Sequence, residues 1–239
     1  MDVRTIVART IGRIATAVAD VVLPRTCAVT DAPLSEGTER LIPGILDAVV
    51  EVLPPAACSD ELMAGLARHH DATTLLIDEA HAMWEASDDV MKIIHGIKYG
   101  GRKKLAYHVG VAVGRMLVLR GVQAAVLVPV PIHTARRRER GYNQAECIAR
   151  GMEEAMQVPI STNMLWRNRY TGTQTALGAA ARRNNLDGSI VANVEYSLIG
   201  ATVIVVDDVL TTGTTINTCA WSLKQSGVGS VIAATVVAA

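Results

Sequence analysis

Residues 202–215 read TVIVVDDVLTTGTT, and this stretch decides the fold. The apolar run 202–206 has the composition of a strand that is buried on both faces of a sheet. It ends in two adjacent carboxylates, Asp207 and Asp208, and threonines then surround Gly213 where a helix over 214–226 is predicted to begin. A strand, a polar turn and a helix in this order are typical of parallel strand–helix–strand units.

The flanking sequence repeats this pattern. Two further buried strands are predicted at 124–130 (AAVLVPV) and 230–237 (SVIAATVV), with a short strand at 73–77 (TTLLI). A polar loop is expected from the end of the 124–130 strand through Gly141, followed by a helix over 143–156. Ser87 is expected to cap a helix with the apolar stripe Val90, Ile93, Ile94 and Ile97, and another helix is expected over 104–120. The predicted fold class is α/β, a parallel sheet flanked by helices.

The residues after the 202–206 strand have a recognisable chemistry. Backbone N–H groups at a helix N-terminus bind phosphate, and Gly213 permits a close approach to them. Threonine hydroxyls add hydrogen-bond donors, and adjacent carboxylates suit either the paired hydroxyls of a ribose or a metal ion. The segment therefore matches a sugar phosphate, with the anion at the Thr/Gly loop and the sugar hydroxyls at the two acids.

Three other interpretations of this segment explain less. A P-loop needs GxxxxGK[ST], but no lysine follows Gly213. A dinucleotide-binding site needs G-x-G-x-x-G after its first strand, and the sequence has none there. An ordinary capped helix accounts for one threonine but not for an Asp-Asp pair followed by TTGTT.

The formal net charge of zero is a cancellation between segments. Residues 1–89 carry six arginines and fifteen acids, whereas residues 90–138 carry ten lysines and arginines and no acid. Such an acid-free stretch indicates an anionic partner, or else a basic face that is paired with the acidic first third of the same molecule.

Composition narrows the class of protein. The 239 residues are 50% hydrophobic, which excludes intrinsic disorder, and 3% aromatic with no phenylalanine, which argues against a binder built on stacked aromatic rings. Four widely spaced cysteines without a CxxC pair suit a reducing cytoplasm. The helical spacing of apolar residues near the N-terminus fits an amphipathic helix, with an Arg-rich organellar presequence as the alternative. Because the longest later apolar stretch is too short to span a bilayer, we expect a cytoplasmic protein without a membrane partner.

At residues 205–215 the sequence resembles the phosphoribosyltransferase family, whose signature of strand, two acids and Thr/Gly loop binds phosphoribosyl pyrophosphate (PRPP). Residues 129–133 (PVPIH) and 138–145 (RERGYNQA) are similar to the proline-bounded loop and the R-x-R-G-[FY]-N-Q-[AS] run of the ComF/GntX-type branch. Residues 97–101 (IKYGG) resemble its Lys-Tyr-x-Gly segment. Its R-x-T-x-x-Q…R-x-N loop matches Arg169, Thr171, Gln174, Arg183 and Asn185. The resemblance covers about residues 70–239.

This resemblance implies a type I phosphoribosyltransferase-like domain at 71–239 and an N-terminal appendage at 1–70. The catalytic pair would be Asp207 and Asp208, which would hold the ribose 2′- and 3′-hydroxyls. The ribose and 5′-phosphate segment would continue through Val209, Leu210, Thr211, Thr212, Gly213, Thr214 and Thr215. Pyrophosphate would be bound by Lys98, Val130, Pro131, Arg136, Arg137 and Arg138. A flexible loop carrying Arg169, Thr171 and Gln174 would close over the site.

The N-terminal third departs from the family pattern. Members commonly begin with a Cys-rich zinc ribbon, but here Thr30 stands where a second cysteine would follow Cys27, and Cys58 is the next thiol along the chain. Structural zinc usually needs four nitrogen or sulfur ligands. His69, His70 and His81 would complete a site only in an unusual arrangement, so no zinc is expected.

The resemblance implies transfer of a phosphoribosyl group from PRPP to an unidentified acceptor, a nucleobase being one candidate, with release of pyrophosphate. Magnesium would be bound through PRPP. Two alternatives stay open, a non-catalytic DNA-uptake protein that binds nucleic acid and a regulator that senses PRPP. A homodimer is also left open.

Overall fold

The computed structural model describes residues 58–71, 73–167 and 190–239. The expectations for the N-terminal helix, for Cys27 and for the predicted flexible loop with Arg169, Thr171 and Gln174 lie outside the described residues. The domain boundary near residue 70 stays a prediction.

The centre of the fold is a four-stranded parallel sheet with the order β1-β6-β5-β2. Its strands, together with a separate antiparallel pair β3–β4, are β1 (Glu79–Glu85), β2 (Val126–Pro129), β3 (Leu165–Arg167), β4 (Ile190–Ala192), β5 (Thr202–Leu210) and β6 (Ser230–Ala238). The parallel sheet and the strands predicted at 124–130, 202–206 and 230–237 are therefore confirmed.

Six α-helices and one 3-10 turn, Tyr196–Leu198, complete the described part of the chain. The helices are α1 (Ser59–Ala67), α2 (Asp88–Tyr99), α3 (Lys103–Leu119), α4 (Thr134–Arg140), α5 (Gln144–Met156) and α6 (Thr214–Gln225). None of the described helices is long and apolar enough to cross a membrane.

Helices cover both faces of the sheet, because the side chains of β5 alternate between two apolar layers. Ile204 and Val206 pack in the layer formed with α2, α3 and α5, whereas Val203 and Val205 pack in the layer formed with α1 and α6. All four side chains are fully buried. Each such burial contributes on the order of 1.5–3 kcal/mol, so β5 is the centre of the hydrophobic core.

The sequence signals of α2 act as predicted. The Ser87 hydroxyl accepts a hydrogen bond from the Val90 amide at 3.4 Å, and Asp88 and Asp89 occupy the positive end of the helix. The apolar stripe of this helix, Val90, Ile93, Ile94 and Ile97, is buried against the sheet layer.

Helices α3 and α5 touch backbone to backbone at two glycines. A Cβ atom at Gly110 would lie 2.0 Å from the Ile148 carbonyl oxygen, and one at Gly151 would lie 2.0 Å from the Tyr107 carbonyl oxygen. Since no side chain larger than hydrogen fits there, these glycines set the spacing of the two helices and hence the position of the N-terminus of α5.

The strand predicted at 73–77 is wrong. A turn lies there instead, in which the Thr74 amide donates a hydrogen bond to the Asp71 carbonyl oxygen at 2.8 Å. The strand of this region is β1, which begins later, at Glu79, and has the sequence EAHAMWE. The polar residues of β1 interrupt the apolar pattern from which a buried strand is predicted. Buried His81 is paired with the Glu79 carboxylate of the same strand at 2.8 Å and meets the Arg120 guanidinium, which is distant in sequence, at 3.2 Å, so hydrogen-bond partners compensate the burial of its ring.

The loop expected through Gly141 is also corrected, because residues 134–140 form α4. The His133 ring nitrogen Nδ1 accepts from the Ala135 amide at 3.2 Å, and Gly141, at φ 75°, ends the helix in the left-handed conformation. Alanine and arginine are good helix formers, so the run favours a helix once both ends are capped.

Candidate active site

Asp207 and Asp208 lie inside β5 rather than after it, which corrects the expected strand end at Val206. The strand continues to Leu210, whose carbonyl oxygen accepts a hydrogen bond from the Ala239 amide at 2.8 Å. Successive residues of a strand point to opposite faces, so the two carboxylates straddle the sheet. The Asp207 Oδ1 atom also accepts the Asp208 backbone amide at 2.9 Å, which fixes the Asp207 side chain next to the main chain.

Asp208 is paired with Lys98. The Lys98 Nζ and Asp208 Oδ2 atoms are 3.2 Å apart, and Asp208 is only 8% exposed. The last turn of α2 is held in place because the Tyr142 hydroxyl donates a hydrogen bond to the Ile97 carbonyl oxygen. The structure thus brings together two predicted site residues that are distant in sequence, Lys98 and Asp208.

Asp207 faces a different environment. Burial, followed by the neighbouring Asp208 carboxylate, raises the pKa of Asp207 to about 7, and the Asp208 amide, Lys98 and Arg167 oppose this shift. The Asp207 carboxyl group therefore holds its proton to a higher pH than an ordinary aspartate does. A carboxyl group poised in this way changes its charge easily when a ligand or a metal ion approaches, and such groups cluster at functional sites.

The predicted phosphate loop forms the turn between β5 and α6. Thr211, Thr212 and Thr214 are exposed, and the hydroxyl oxygens of Thr212 and Thr214 are 2.9 Å apart. Gly213 is the N-cap of α6 at φ 71°, a left-handed conformation that favours glycine. The amides of Thr214 and Thr215 open the helix and have no intrahelical acceptor, so the turn presents N–H donors and hydroxyls together.

Val209 and Leu210, which the resemblance assigned to the ribose and phosphate segment, are strand residues. Val209 is paired in register with Val237 of β6, and Leu210 is buried in the core. They lead from the sheet into the Thr/Gly turn.

The segment after β2 comes next to the carboxyl half of β5. The Val130 amide donates to the Val206 carbonyl oxygen at 2.9 Å, and the Val130 carbonyl oxygen accepts from the Asn143 side chain at 3.0 Å. The Pro131 carbonyl oxygen accepts from the Arg167 Nε atom at 2.8 Å. Val130 and Pro131 are thus placed at the same edge of the sheet as the two acids.

The three predicted pyrophosphate arginines are arranged differently. Arg136, Arg137 and Arg138 are exposed on α4, while Arg140 lies over the ring of Tyr99, with its guanidinium carbon 5.0 Å from the ring centroid. As a helix places successive residues about 100° apart, the three arginines cannot all face one ligand.

Sequence reasoning missed three residues that contact the site. Arg167 donates a hydrogen bond to the Pro131 carbonyl oxygen, and its positive charge lowers the pKa of Asp207. His70 contacts the Thr212 carbonyl oxygen at 2.7 Å. Asn217 hydrogen-bonds to the chain before β1. For Arg167 a signal was present, since it lies two residues before Arg169, where the R-x-T-x-x-Q run begins. His70 and Asn217 are distant in sequence from the motifs that they contact.

Magnesium can be tested against the donor set. Within residues 58–71, 73–167 and 190–239 there is no group of three or more His, Cys, Asp or Glu side chains that could hold a metal ion. Mg²⁺ is usually held by one or two carboxylates together with substrate phosphates and water. Asp207 and Asp208 therefore fit a magnesium ion that arrives with a phosphorylated ligand.

Comparisons with known proteins find similarity over part of the chain. Residues 141–239 match the phosphoribosyl transferase domain family. The chain is 35% identical over 105 residues to competence protein F of Haemophilus influenzae, covering 43% of this chain and 45% of that protein. It is 28% identical over 148 residues to the DNA utilization protein YhgH of Escherichia coli K12, covering 58% of this chain and 63% of that protein. The chain thus spans only 45% to 63% of the length of these relatives.

Solved structures show weaker likeness. The glutamine PRPP amidotransferase of B. subtilis has 23% sequence identity and a TM-score of 0.42, covering 59% of this chain and 30% of that chain. A hypoxanthine phosphoribosyltransferase of Staphylococcus aureus has 13% identity and a TM-score of 0.37, covering 57% of this chain and 64% of that chain. Residues 141–239 thus match the phosphoribosyl transferase domain family, and the chain is similar to these two curated relatives over 43% to 58% of its length.

Proposed function

We propose that the chain binds PRPP at the carboxyl edge of β5 and transfers its phosphoribosyl group to an acceptor, releasing pyrophosphate. The observation that carries this proposal is the run of two carboxylates and an exposed Thr/Gly turn at the centre of the parallel sheet, with Asp208 anchored by Lys98. Ligands of open α/β sheets bind at this edge.

Each part of PRPP has a matching group. The 5′-phosphate would accept hydrogen bonds from the amides at the start of α6 and from the hydroxyls of Thr212 and Thr214. The ribose hydroxyls would donate to the carboxylates of Asp207 and Asp208. The pyrophosphate would lie toward Val130 and Pro131, near the guanidinium of Arg167.

The reaction is a substitution at ribose C1′. The acceptor forms a bond to C1′ with its lone pair and loses a proton, while the bond from C1′ to the pyrophosphate oxygen breaks and its electron pair leaves with pyrophosphate. Magnesium, when bound through PRPP, would neutralise charge on the leaving pyrophosphate. The protein contributes position, because Asp207 and Asp208 hold the ribose. It also contributes charge, because the Arg167 guanidinium stabilises the negative charge that develops on the leaving pyrophosphate.

The first test is calorimetric titration of PRPP with Mg²⁺ into the wild type and into Asp207→Asn and Asp208→Asn. We expect each substitution to weaken binding at least tenfold, because the amide is a poorer acceptor for a ribose hydroxyl. Glu195→Gln, at an exposed acid remote in sequence from the site, is the control and should bind as the wild type does. Equal heats in all four proteins would disprove the assignment.

The second test separates transfer from sensing. The protein is incubated with PRPP, Mg²⁺ and a panel of nucleobases, and pyrophosphate release is measured. Release that depends on one acceptor identifies the transferase reaction. Tight PRPP binding without release with any acceptor would instead favour a regulator that senses PRPP.

A second candidate function is nucleic-acid binding. The relatives' names, competence protein F and DNA utilization protein, suggest it, and the exposed arginines of α4 supply a basic surface. Binding of this kind would rest on phosphate contacts and would fall steeply with salt. A gel-shift series with single-stranded DNA should show retardation at 50 mM salt that Arg136→Ala/Arg137→Ala/Arg138→Ala abolishes. Absence of retardation at low salt would reject this candidate.

A further inference from the structure

The chain before β1 lies against the Thr/Gly turn. Residues 58–71 and 73–78 run from α1 to the start of β1, and they contact the turn at Thr212 and Gly213 and the first half of α6 at Asn217. We call residues 58–71 and 73–78 the strap. None of the phosphoribosyl motifs in the sequence includes it.

His70 contacts the main chain of the turn. Its Nε2 atom lies 2.7 Å from the Thr212 carbonyl oxygen, a distance at which a protonated Nε2 donates a hydrogen bond. The peptide bond that joins Thr212 to Gly213 is planar and trans, so the Thr212 carbonyl and the Gly213 N–H group lie in one plane and point in opposite directions. A hydrogen bond that fixes the carbonyl therefore also fixes the direction of the Gly213 N–H group, away from His70.

Asn217 holds the strap in place. Its Oδ1 atom accepts from the Leu76 amide at 2.7 Å, and its Nδ2 group donates to the Thr74 carbonyl oxygen at 2.7 Å. Asn217 is 2% exposed and lies in the first turn of α6. This two-point attachment joins the strap to the same helix whose N-terminus presents the proposed phosphate donors.

Leu66 packs against the other side of the turn. A Cβ atom at Gly213 would lie 2.3 Å from the Leu66 Cδ2 atom, and Leu66 is 2% exposed. The strap therefore contacts the turn through a hydrogen bond at Thr212 and an apolar contact at Gly213.

We propose that His70 is a positioning residue for the 5′-phosphate, which orients the Gly213 amide through the Thr212 carbonyl. This inference rests on the proposed PRPP function and assigns the strap a part in the same site. His70 does not touch the ligand in this arrangement. Its loss should therefore weaken binding of the ribose phosphate end without changing the pyrophosphate end.

The test measures two ligands separately by calorimetry, ribose 5-phosphate and inorganic pyrophosphate, each with Mg²⁺. We expect His70→Ala to weaken ribose 5-phosphate at least fivefold and to leave the affinity for pyrophosphate within twofold of the wild type. His70→Gln, which keeps an N–H donor, should recover most of the loss. His69→Ala changes the neighbouring exposed histidine and should have no effect on either ligand.

The outcomes are distinguishable. Unchanged affinity of His70→Ala for ribose 5-phosphate overturns the inference while leaving the PRPP function intact. Equal weakening of both ligands also overturns it, because general loosening of the site would act on both ends. If the wild type binds neither PRPP nor ribose 5-phosphate, the proposed function and the inference are overturned together.

Discussion

At the scale of single residues, the most informative group is the Asp207 carboxyl. Its pKa is raised to about 7, mainly by burial, while its Oδ1 atom is held by the Asp208 amide. A protein gains nothing in stability from such a group. In the proposed function this carboxyl accepts a ribose hydroxyl, and an unfavourable buried charge is typical of functional sites.

The unfavourable free energy of holding the Asp207 carboxylate in a buried position should be visible in the pH dependence of the free energy of unfolding. The pKa of Asp207 is higher in the folded protein than in the unfolded chain, so the folded protein binds the proton more tightly. The free energy of unfolding therefore falls as the pH rises from about 4 to about 7, and the loss is complete above pH 7. Asp207→Asn removes this loss and should raise the free energy of unfolding by roughly 1–3 kcal/mol at pH 8.

Thermal or urea unfolding of the wild type and Asp207→Asn at pH 8 and pH 4 checks this. The advantage of the variant should shrink toward zero at pH 4, where the wild-type carboxyl is protonated in the folded state. Glu195→Gln should show no such trend. An advantage of equal size at both pH values would contradict the assigned cause.

The sequence marks the candidate segment at residues 202–215 more clearly than it marks the surroundings of that segment. Asp207, Asp208 and Gly213 stand out because few segments place two acids and a Thr/Gly turn behind an apolar run. That both acids remain within the strand was not predictable, because acidic residues usually mark the end of a buried strand. The pairing of Asp208 with Lys98 depends on a contact between residues far apart in sequence.

At the scale of elements, the packing of α3 on α5 depends on backbone contact at Gly110 and Gly151. Such contact leaves no space for a side chain, and the neighbouring atoms at Gly110 belong to the main chain, which cannot rotate away. The two helices are consequently closer and more rigidly spaced than helices that meet through larger side chains.

Gly110→Ala should lower the free energy of unfolding by about 3 kcal/mol, because the new methyl group would lie 2.0 Å from the Ile148 carbonyl oxygen and would push the helices apart. Gly65→Ala is the matched control. Gly65 lies in α1, where the nearest atom to a new Cβ is 3.6 Å away on the Arg68 side chain. That variant should gain about 0.5–1 kcal/mol from helix propensity, as measured by urea unfolding. A loss of similar size in both variants would contradict the packing explanation.

Elements with both a cap and an apolar stripe were predicted well, as α2 and α5 show. Asn143 caps α5 by accepting from the Ala145 amide, and the inward residues Ile148 and Met152 are fully buried. Strand β1 was missed because it contains polar residues, and the contact of buried His81 with Arg120 joins residues far apart in sequence. The helix α4 was missed because its residues are nearly all polar and none is buried.

At the scale of the whole molecule, the acid-free stretch 90–138 is partly neutralised by other segments. Lys98 is paired with Asp208, and Arg120 meets the His81–Glu79 pair. Of these two contacts, only that of Arg120 involves the acidic first third, as the interpretation of an internally paired basic face requires, whereas the partner of Lys98 lies in the last third. Arg136, Arg137 and Arg138 of α4 form an exposed basic cluster within the stretch.

The order of strands in the sheet also has a consequence for folding. Strand β6 lies between β1 and β5, with Glu79 in register with Ile232 and Thr202 in register with Ser230. Until β6 has been synthesised and inserted, β1 lacks its neighbour in the sheet and β5 has one unpaired edge. Contacts between residues this far apart in sequence slow folding, and open strand edges favour association with other chains. A chain truncated before residue 230 would keep all the motifs of the phosphoribosyl site and still lack the strand that joins β1 to the rest of the sheet.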